Sequence, residues 1–288
     1  MQNNADVIVV GKGNAALCAA LEARNAGANV IMLEAASEEE SGGNSRFAGG
    51  MMRFTYNGIE DLRTLLEITD EEARNTDWDT NTVDEFYDDL YKVTNYRTDP
   101  RLSELLITRS FEAMRWLRQQ GVRFVLNYRA ASAVVDGRRR FFGGMAVEVS
   151  GGGPGLVQFL DQAAVKAGIE VHYGTRAVSL IYDGEKVTGI NAKRNGKLLQ
   201  YHAPAVILAC GGFQNNREML VNFLPYLACL PTTPYGTPYS TGDGITMASE
   251  VGAKLWHMAG AELGQFAPRI PSEKYGLGFR LEKTFRPR

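Results

Sequence analysis

The sequence is short of several residue types. Cysteine occurs three times in 288 residues, at Cys18, Cys210 and Cys229, and no two form a C-x-x-C pair. An odd number of scattered cysteines makes no disulfide framework, and the expectation is a reduced, cytoplasmic chain with buried thiols. Histidine also occurs three times, at His172, His202 and His257, with no metal-ligand spacing between any pair, so no metal is expected. Basic residues do not outnumber acidic ones: 31 Lys and Arg face 33 Asp and Glu, a net charge of −2. That balance leaves no electrostatic footprint for nucleic acid or an anionic membrane. No apolar run approaches the ~20 residues of a membrane span. Only small or polar residues and the first methionine precede Asp6, so no signal peptide is expected. No serine sits in a nucleophile elbow.

What is present is concentrated at the start. DVIVVG (Asp6 to Gly11) is a short apolar run ending in glycine and reads as a buried parallel strand. Ala15 to Asn25 is rich in Ala, Leu, Glu and Arg and reads as a helix closed by Gly27. NVIMLE (Asn29 to Glu34) is a second buried strand. The turn between the first strand and the helix is G-x-G-x-x-A, at Gly11, Gly13 and Ala16. Gly11 allows the tight turn, Gly13 lets backbone approach a pyrophosphate, and Ala16 keeps helix and strand close. The helix N-terminus offers N–H donors to phosphates. Glu34, at the end of the second strand, is placed to accept from a ribose hydroxyl and disfavours a 2′-phosphate. This pattern alone does not separate NAD from FAD.

The next segment, SGGNSRFAGGMMRF (Ser41 to Phe54), is a loop of small residues that a ligand could closely approach. With it, the motifs GKGNAA, LEA, GGNSRFAGGMMRF, GGGPGLVQFLDQAA, VILACGGF and TGDGITMA occur in one order. In this the chain resembles the FAD-dependent flavoprotein family of fumarate reductase and succinate dehydrogenase. It is most similar to the tricarballylate dehydrogenase-like branch, which includes the flavoprotein half of some precorrin-3B synthases. The resemblance runs to about Trp256.

The resemblance implies which residues hold FAD. Gly11, Gly13, Asn14, Ala15 and Ala16 hold the pyrophosphate, and Glu34 and Ala35 the adenosine ribose. Gly42, Gly43, Asn44, Ser45, Ala48, Gly49 and Gly50 wrap the rest of the pyrophosphate and the flavin side. Ala177 and Val178 set backbone against the adenine. Ala209, Gly211 and Gly212 match the family's A-T-G-G segment, with Cys210 in place of threonine and read as an inert packing residue. Thr241, Gly242 and Asp243 contact the ribityl chain and pyrophosphate. Asn44 stands where members with covalent FAD carry histidine, so non-covalent FAD is implied.

The rest of the chain reads as follows. Glu60 to Thr80 is polar and acidic. Val83, Phe86, Tyr87 and Leu90 have helical spacing, and Leu102, Leu105, Leu106, Ala113, Trp116 and Leu117 outline one longer amphipathic helix that starts at Asp99-Pro100 and stops at Gly121. Arg138, Arg139 and Arg140 read either as a solvated loop or as cations facing an anionic substrate. Pro154, in the run Gly151 to Gly155, suits a first helical turn. Strands follow from Glu170, with turns at Asp183 to Lys186 and Arg194 to Lys197, making a β-meander. His172 and His202 read as structural, and His257 as structural or near substrate.

The expectation is therefore an α/β chain: a Rossmann-like FAD-binding domain with a central parallel sheet plus a β-meander. It covers 1–255 with a helical insertion at about 60–150, and 256–288 begin a truncated cap region. By resemblance the function is dehydrogenation of a carboxylic acid such as tricarballylate, or the reverse reduction. The absence of an H-P-T context in AGAELGQFAP argues against fumarate. Alternatives are an oxygenase-type role in corrin-ring synthesis, or a truncated FAD-binding chain without activity. Arg53, Arg129 and Arg138 to Arg140 are candidates for substrate carboxylates, and no catalytic acid or base is assigned. An Fe–S or membrane electron-transfer protein is a candidate partner, since this chain has no Fe–S cysteine pattern.

Overall fold

A computed structural model of the chain describes residues 3–229 and 235–260. The chain divides into two compact units, Met1–Phe47 with Ala164–Arg288, and Ala48–Ala163. In chain order, the first unit opens with β1 (Val7–Val10), α1 (Asn14–Asn25), β2 (Val30–Leu33) and a 3-10 turn at Gly43–Phe47. The second unit contains β3 (Met51–Met52), α2 (Ile59–Arg63), α3 (Asp70–Asn75), β4 (Thr76–Asp77), α4 (Val83–Thr94), α5 (Pro100–Thr108), α6 (Ser110–Gln119), β5 (Phe124–Leu126), β6 (Ser132–Val135), β7 (Arg138–Phe141) and β8 (Val147–Val149). Helix α7 (Gly152–Lys166) leads into the rest of the first unit. There follow β9 (Glu170–His172), β10 (Thr175–Tyr182), β11 (Val187–Arg194), β12 (Lys197–His202), β13 (Ala205–Leu208), α8 (Arg217–Phe223), α9 (Pro225–Ala228) and α10 (Asp243–Glu250).

In the first unit the aliphatic runs form a four-stranded sheet in the order β13-β1-β2-β9, parallel at every pair. β2 is buried throughout and β1 from Ile8 onward, as a parallel strand covered on both faces requires. Helix α1 buries Ala16, Leu17, Ala20 and Leu21; the two alanines allow a close approach. The antiparallel meander β10-β11-β12 supplies Ala177, Ile190, Ala192 and Tyr201 to one core with Ile8, Val10, Ile31, Leu33 and Met247. The expected meander turns are present, with Asn195 and Gly196 both at positive φ. His172 is buried, its Nδ1 2.8 Å from the Tyr201 hydroxyl and its Nε2 2.7 Å from Glu170.

The second unit holds two three-stranded sheets, β3-β8-β5 and β4-β7-β6, with helices α2 to α6. Capping boxes start α3 at Thr69 and α4 at Thr82, and Asp99 caps α5 ahead of Pro100. Two expectations are corrected here. The single helix from Leu102 to Leu117 is two helices, broken at Arg109 (φ −100°, ψ 0°). The Ser110 hydroxyl donates to the Ile107 carbonyl and accepts from Thr55 N–H, so a side chain competes with the helical ladder at the break. The buried stripe is Ser103, Ile107, Ser110 and Met114, while Leu102, Leu105 and Leu106 are 66%, 57% and 55% exposed. Secondly, Arg138 to Arg140 are a strand, not a loop, in a hairpin turned by Asp136 and Gly137 at positive φ. Arg138 and Arg140 pair with Asp77, and Arg139 lies over the Tyr128 ring and donates to Ser132.

Among the described residues no helix is long and apolar enough to cross a membrane. The stretch AGAELGQFAP and the expected cap beginning at 256–288 lie, from residue 261, outside the described residues.

Candidate dinucleotide-binding site

The carboxyl ends of β1, β2 and β13 converge on the first βα turn. Gly11 N–H donates to the Leu33 carbonyl (2.8 Å), and Ala209 N–H to the Val10 carbonyl (2.9 Å). Gly11 sits at φ +108°, and a Cβ on it would stand 2.5 Å from the Ala209 carbonyl oxygen. Only glycine fits there. Gly13 is the extended N-cap residue of α1 and supplies no side-chain cap. Asn14 N–H donates to Ser45 Oγ (3.0 Å), and Ser45 Oγ donates to Asn14 Oδ1 (2.8 Å). The Gly42–Ser45 loop is thereby tied to the start of α1, with backbone N–H groups and small side chains on both sides.

Glu34 is 6% exposed at the end of β2, and its Oε1 accepts from Ala36 N–H (2.8 Å). Burial raises its carboxyl above the usual 4.5, against the lowering effects of the Ala36 N–H and the Lys12 charge. A raised carboxylate stabilises the folded state fully below 4.5 and loses that contribution as pH rises through the folded value. The ionised form is the better acceptor for ribose hydroxyls. Thermal stability of the dinucleotide-free protein is therefore expected to fall as pH is raised from about 4.5, while dinucleotide affinity rises over the same window. Glu34→Gln should flatten both trends. Parallel unfolding scans and binding titrations across pH measure this; pH profiles that Glu34→Gln leaves unchanged would contradict it.

β10 begins beside this carboxylate, with Thr175 N–H donating to the Glu34 carbonyl (2.8 Å). The β10–β11 register shifts between Ala177 and Ser179, which makes Val178 a bulge residue outside the ladder. Ala177 is buried in the core, and Val178 is exposed. The bulge frees backbone polar groups where the adenine was expected.

Beyond β13, Gly211 turns the chain at φ +77°, and the Gly212 carbonyl accepts from Gly242 N–H (3.0 Å). That bond brings the second glycine turn to the first. Asp243 opens α10, and its carboxylate accepts two hydrogen bonds from Arg176, each 2.7 Å, and one from the Thr241 hydroxyl (2.8 Å). Arg176 also donates to Thr241 (2.7 Å). Sequence reasoning did not single out Arg176; its only signal is its place one residue before Ala177. Cys210 packs under α10: a Cβ on Gly244 would lie 2.6 Å from its Sγ, and burial pushes its thiol up. It has the environment of an inert thiol.

Segment 235–241 lies over the Gly42–Phe47 loop. Asn44 Oδ1 accepts from Thr237 N–H (3.0 Å), the Tyr239 hydroxyl donates to Glu40 (2.6 Å), and Phe47 meets Tyr235 edge-on. Ala48, Gly49 and Gly50 fold with the second unit. There Gly153 N–H donates to the Ala48 carbonyl (2.9 Å), and a Cβ on Gly50 would lie 2.6 Å from Gly152 Cα. The smallness of Gly50 is accounted for by packing against Gly152 at the start of α7. His257 is exposed, with its ring against Trp256.

The residues gathered in the first unit fit an adenine dinucleotide. They provide a helix start whose N-cap, Gly13, carries no side chain, glycine turns at Gly11 and Gly211, a buried acid at the end of β2 and an opened strand beside it.

Comparison with known proteins agrees with the geometry. The family described as "FAD binding domain" matches residues 6–272. The chain is 31% identical over 281 residues to a protein named probable fumarate reductase from Shewanella frigidimarina (strain NCIMB 400), covering 93% of this chain and 42% of that protein. It is 30% identical over 275 residues to the urocanate reductase of Eggerthella lenta, covering 90% and 40%. In structure it is similar to the 3-ketosteroid-delta4-(5alpha)-dehydrogenase of Rhodococcus jostii RHA1, with a TM-score of 0.71, 26% identity, and coverage of 90% of this chain and 56% of that one. The chain thus spans less than half the length of the two curated relatives.

Proposed function

We propose, from the premise that this chain belongs to the FAD binding domain family, that it is the cofactor-holding part of an oxidoreductase. Its reaction would add or remove hydrogen across a carbon–carbon bond next to a carboxylate. The observation that carries the dinucleotide site is the convergence of Gly11, Glu34 and the Gly212–Gly242 contact at the carboxyl ends of the parallel strands, and the family match makes that dinucleotide FAD.

Bound FAD supplies hydride exchange at its N5. The chain's own residues hold and orient. The α1 N-terminus and the Gly42–Ser45 loop present N–H groups to a pyrophosphate. Glu34 accepts from ribose hydroxyls, and the Val178 bulge offers backbone to the adenine. Asp243, steered by Arg176, accepts from a ribityl hydroxyl. Segment 235–241 over the loop excludes water from the phosphates. Asn44 has no nucleophilic ring nitrogen and is engaged by Thr237 N–H, so the flavin is held without a covalent bond.

The substrate reading rests on the relatives. Fumarate and urocanate each carry a carbon–carbon double bond conjugated to a carboxylate, and a 3-ketosteroid carries a ketone that can play the same part. An electron-withdrawing carbonyl stabilises charge on the neighbouring carbon as hydrogen is transferred. The proposed substrate is a small unsaturated carboxylate or its saturated partner, with tricarballylate as one instance. Three cysteines are fewer than the four thiolates of a typical Fe–S cluster, so the proposed electron relay lies outside this stretch of chain, in an Fe–S or membrane electron-transfer unit. The unpaired thiols favour the cytoplasm.

The test is reoxidation. The flavin of the purified protein is reduced anaerobically, and fumarate, aconitate, acrylate and urocanate are added singly. At least one acid should restore the oxidised spectrum, and its amide should not. Reoxidation by ferricyanide but by none of the acids would reject the substrate class and leave the FAD assignment standing.

A further inference from the structure

A cavity of about 270 Å³ lies in the second unit, apart from every residue assigned to the dinucleotide. Its buried lining includes Tyr56 and Asn81, each 3% exposed. The two are joined through their backbones, each N–H donating to the other's carbonyl. Asn81 Nδ2 donates to the Phe54 carbonyl (2.6 Å), but its Oδ1 accepts no hydrogen bond from the described residues. Nor does the Tyr56 hydroxyl have a partner among them. Neither oxygen is among the sealed, unsatisfied atoms of the described residues, so each keeps some accessible surface, on a residue that lines the cavity. Two acceptors left unpaired in a buried floor call for a donor.

The exposed lining is acidic. Asp79, Glu85, Asp88 and Asp89 border the cavity, with Lys92 as the one cation there. Asp89 is paired with Arg53 (2.5 Å), and Asp88 faces Lys92 (3.8 Å). Asp79 and Glu85 have no ion pair among the described residues. Each has one carboxylate oxygen taken, by Thr80 N–H and by the Thr82 cap respectively, and one left. Their charges, after burial itself, push the Tyr56 hydroxyl up to about 12, so it stays neutral and able to accept. Gly144 borders the same space, and a Cβ on it would come within 2.3 Å of the Asn81 amide.

We propose that this cavity binds a small aliphatic amine. Its ammonium group donates to the Tyr56 hydroxyl and Asn81 Oδ1, and its charge is met by Asp79 and Glu85. An ammonium supplies three donors and no acceptor, which matches a lining in which Asp79, Glu85, Asn81 Oδ1 and the Tyr56 hydroxyl can all accept. A bare metal ion fits less well. No group of three or more His, Cys, Asp or Glu among the described residues could hold one, and a hard cation needs about six or more oxygens at once. The volume suits a molecule of a few carbons.

Isothermal titration with putrescine, on the protein as purified, tests this. Saturable binding at one site is expected, with none for butanediol. Tyr56→Phe keeps the ring and the backbone pairing with Asn81, and it should weaken binding about tenfold or more. Asp79→Asn should do the same. Circular dichroism and flavin content report whether each variant is folded, and Glu85→Gln replaces Asp79→Asn if that variant is not. No saturation, or equal binding by wild type and both variants, overturns the proposal. Magnesium chloride binding with the same variant dependence also overturns it, in favour of an inorganic cation.

Discussion

Gly11→Ala should leave the protein nearly free of FAD. At φ +108° an L-residue is strained, and the added methyl would sit 2.5 Å from the Ala209 carbonyl oxygen. No rotamer relieves a clash between Cβ and backbone. Backbone strain of about 1–3 kcal/mol and overpacking of about 1–3 kcal/mol apply together. The carboxyl ends of β1 and β13 must then separate, which carries Gly211 and Gly212 away from α1. A distortion costing about 2 kcal/mol in the bound geometry lowers affinity about 30-fold. Gly27→Ala is the control. Gly27 has φ +91° but nothing within 4 Å of the added atom. It should cost about 1–2 kcal/mol of stability and leave FAD content unchanged. Flavin-to-protein ratios after gel filtration separate the two. Equal FAD content in wild type and Gly11→Ala would remove the first turn from the site.

Asp243→Ala should produce the second large loss. The aspartate opens α10, takes both Arg176 hydrogen bonds and, in the proposed complex, accepts from a ribityl hydroxyl. A hydrogen bond to a charged group contributes about 1.5–3 kcal/mol, and an acid in the first helical turn about 0.3–1 kcal/mol. The hydrogen bond sets the loss of FAD affinity at about tenfold or more, because the helix-start contribution is common to the free and bound protein. Arg176→Ala should act more weakly, because the ion pair is partly exposed: 48% for the Arg176 side chain and 24% for Asp243. Such a pair contributes about 1 kcal/mol or less and is screened by salt. Fluorescence titration of FAD at low and high salt should therefore show a small, salt-sensitive defect for Arg176→Ala and a large, salt-insensitive one for Asp243→Ala. Equal defects would mean that the aspartate serves only as the arginine's partner.

The cofactor half of the fold was legible because its signals are local. VIVV, the glycine turn, the Ala-rich helix and VIML-Glu34 each state their structure within a few residues. The meander was legible from D-G and N-G turns between alternating strands. Other features depend on distant partners. Arg176 meets Asp243 across 67 residues of sequence, and nothing near either residue announces the other. Gly50 makes its tight contact with Gly152, which nothing near either glycine announces. The split at Arg109 escaped periodicity because the leucines of α5 follow a helical pattern while the buried stripe runs through Ser103 and Ile107. One local signal was passed over: Asp136-Gly137, between Val135 and Arg138, is a hairpin turn of the same kind as Asn195-Gly196.

The visible spectrum of the purified protein, recorded before and after acid precipitation, tests the central claim most directly. The account predicts flavin bands in the native protein and all of the flavin, as FAD, in the acid supernatant. A protein that is colourless and takes up no added FAD would contradict the site, and flavin that stays with the precipitate would contradict its non-covalent attachment beside Asn44.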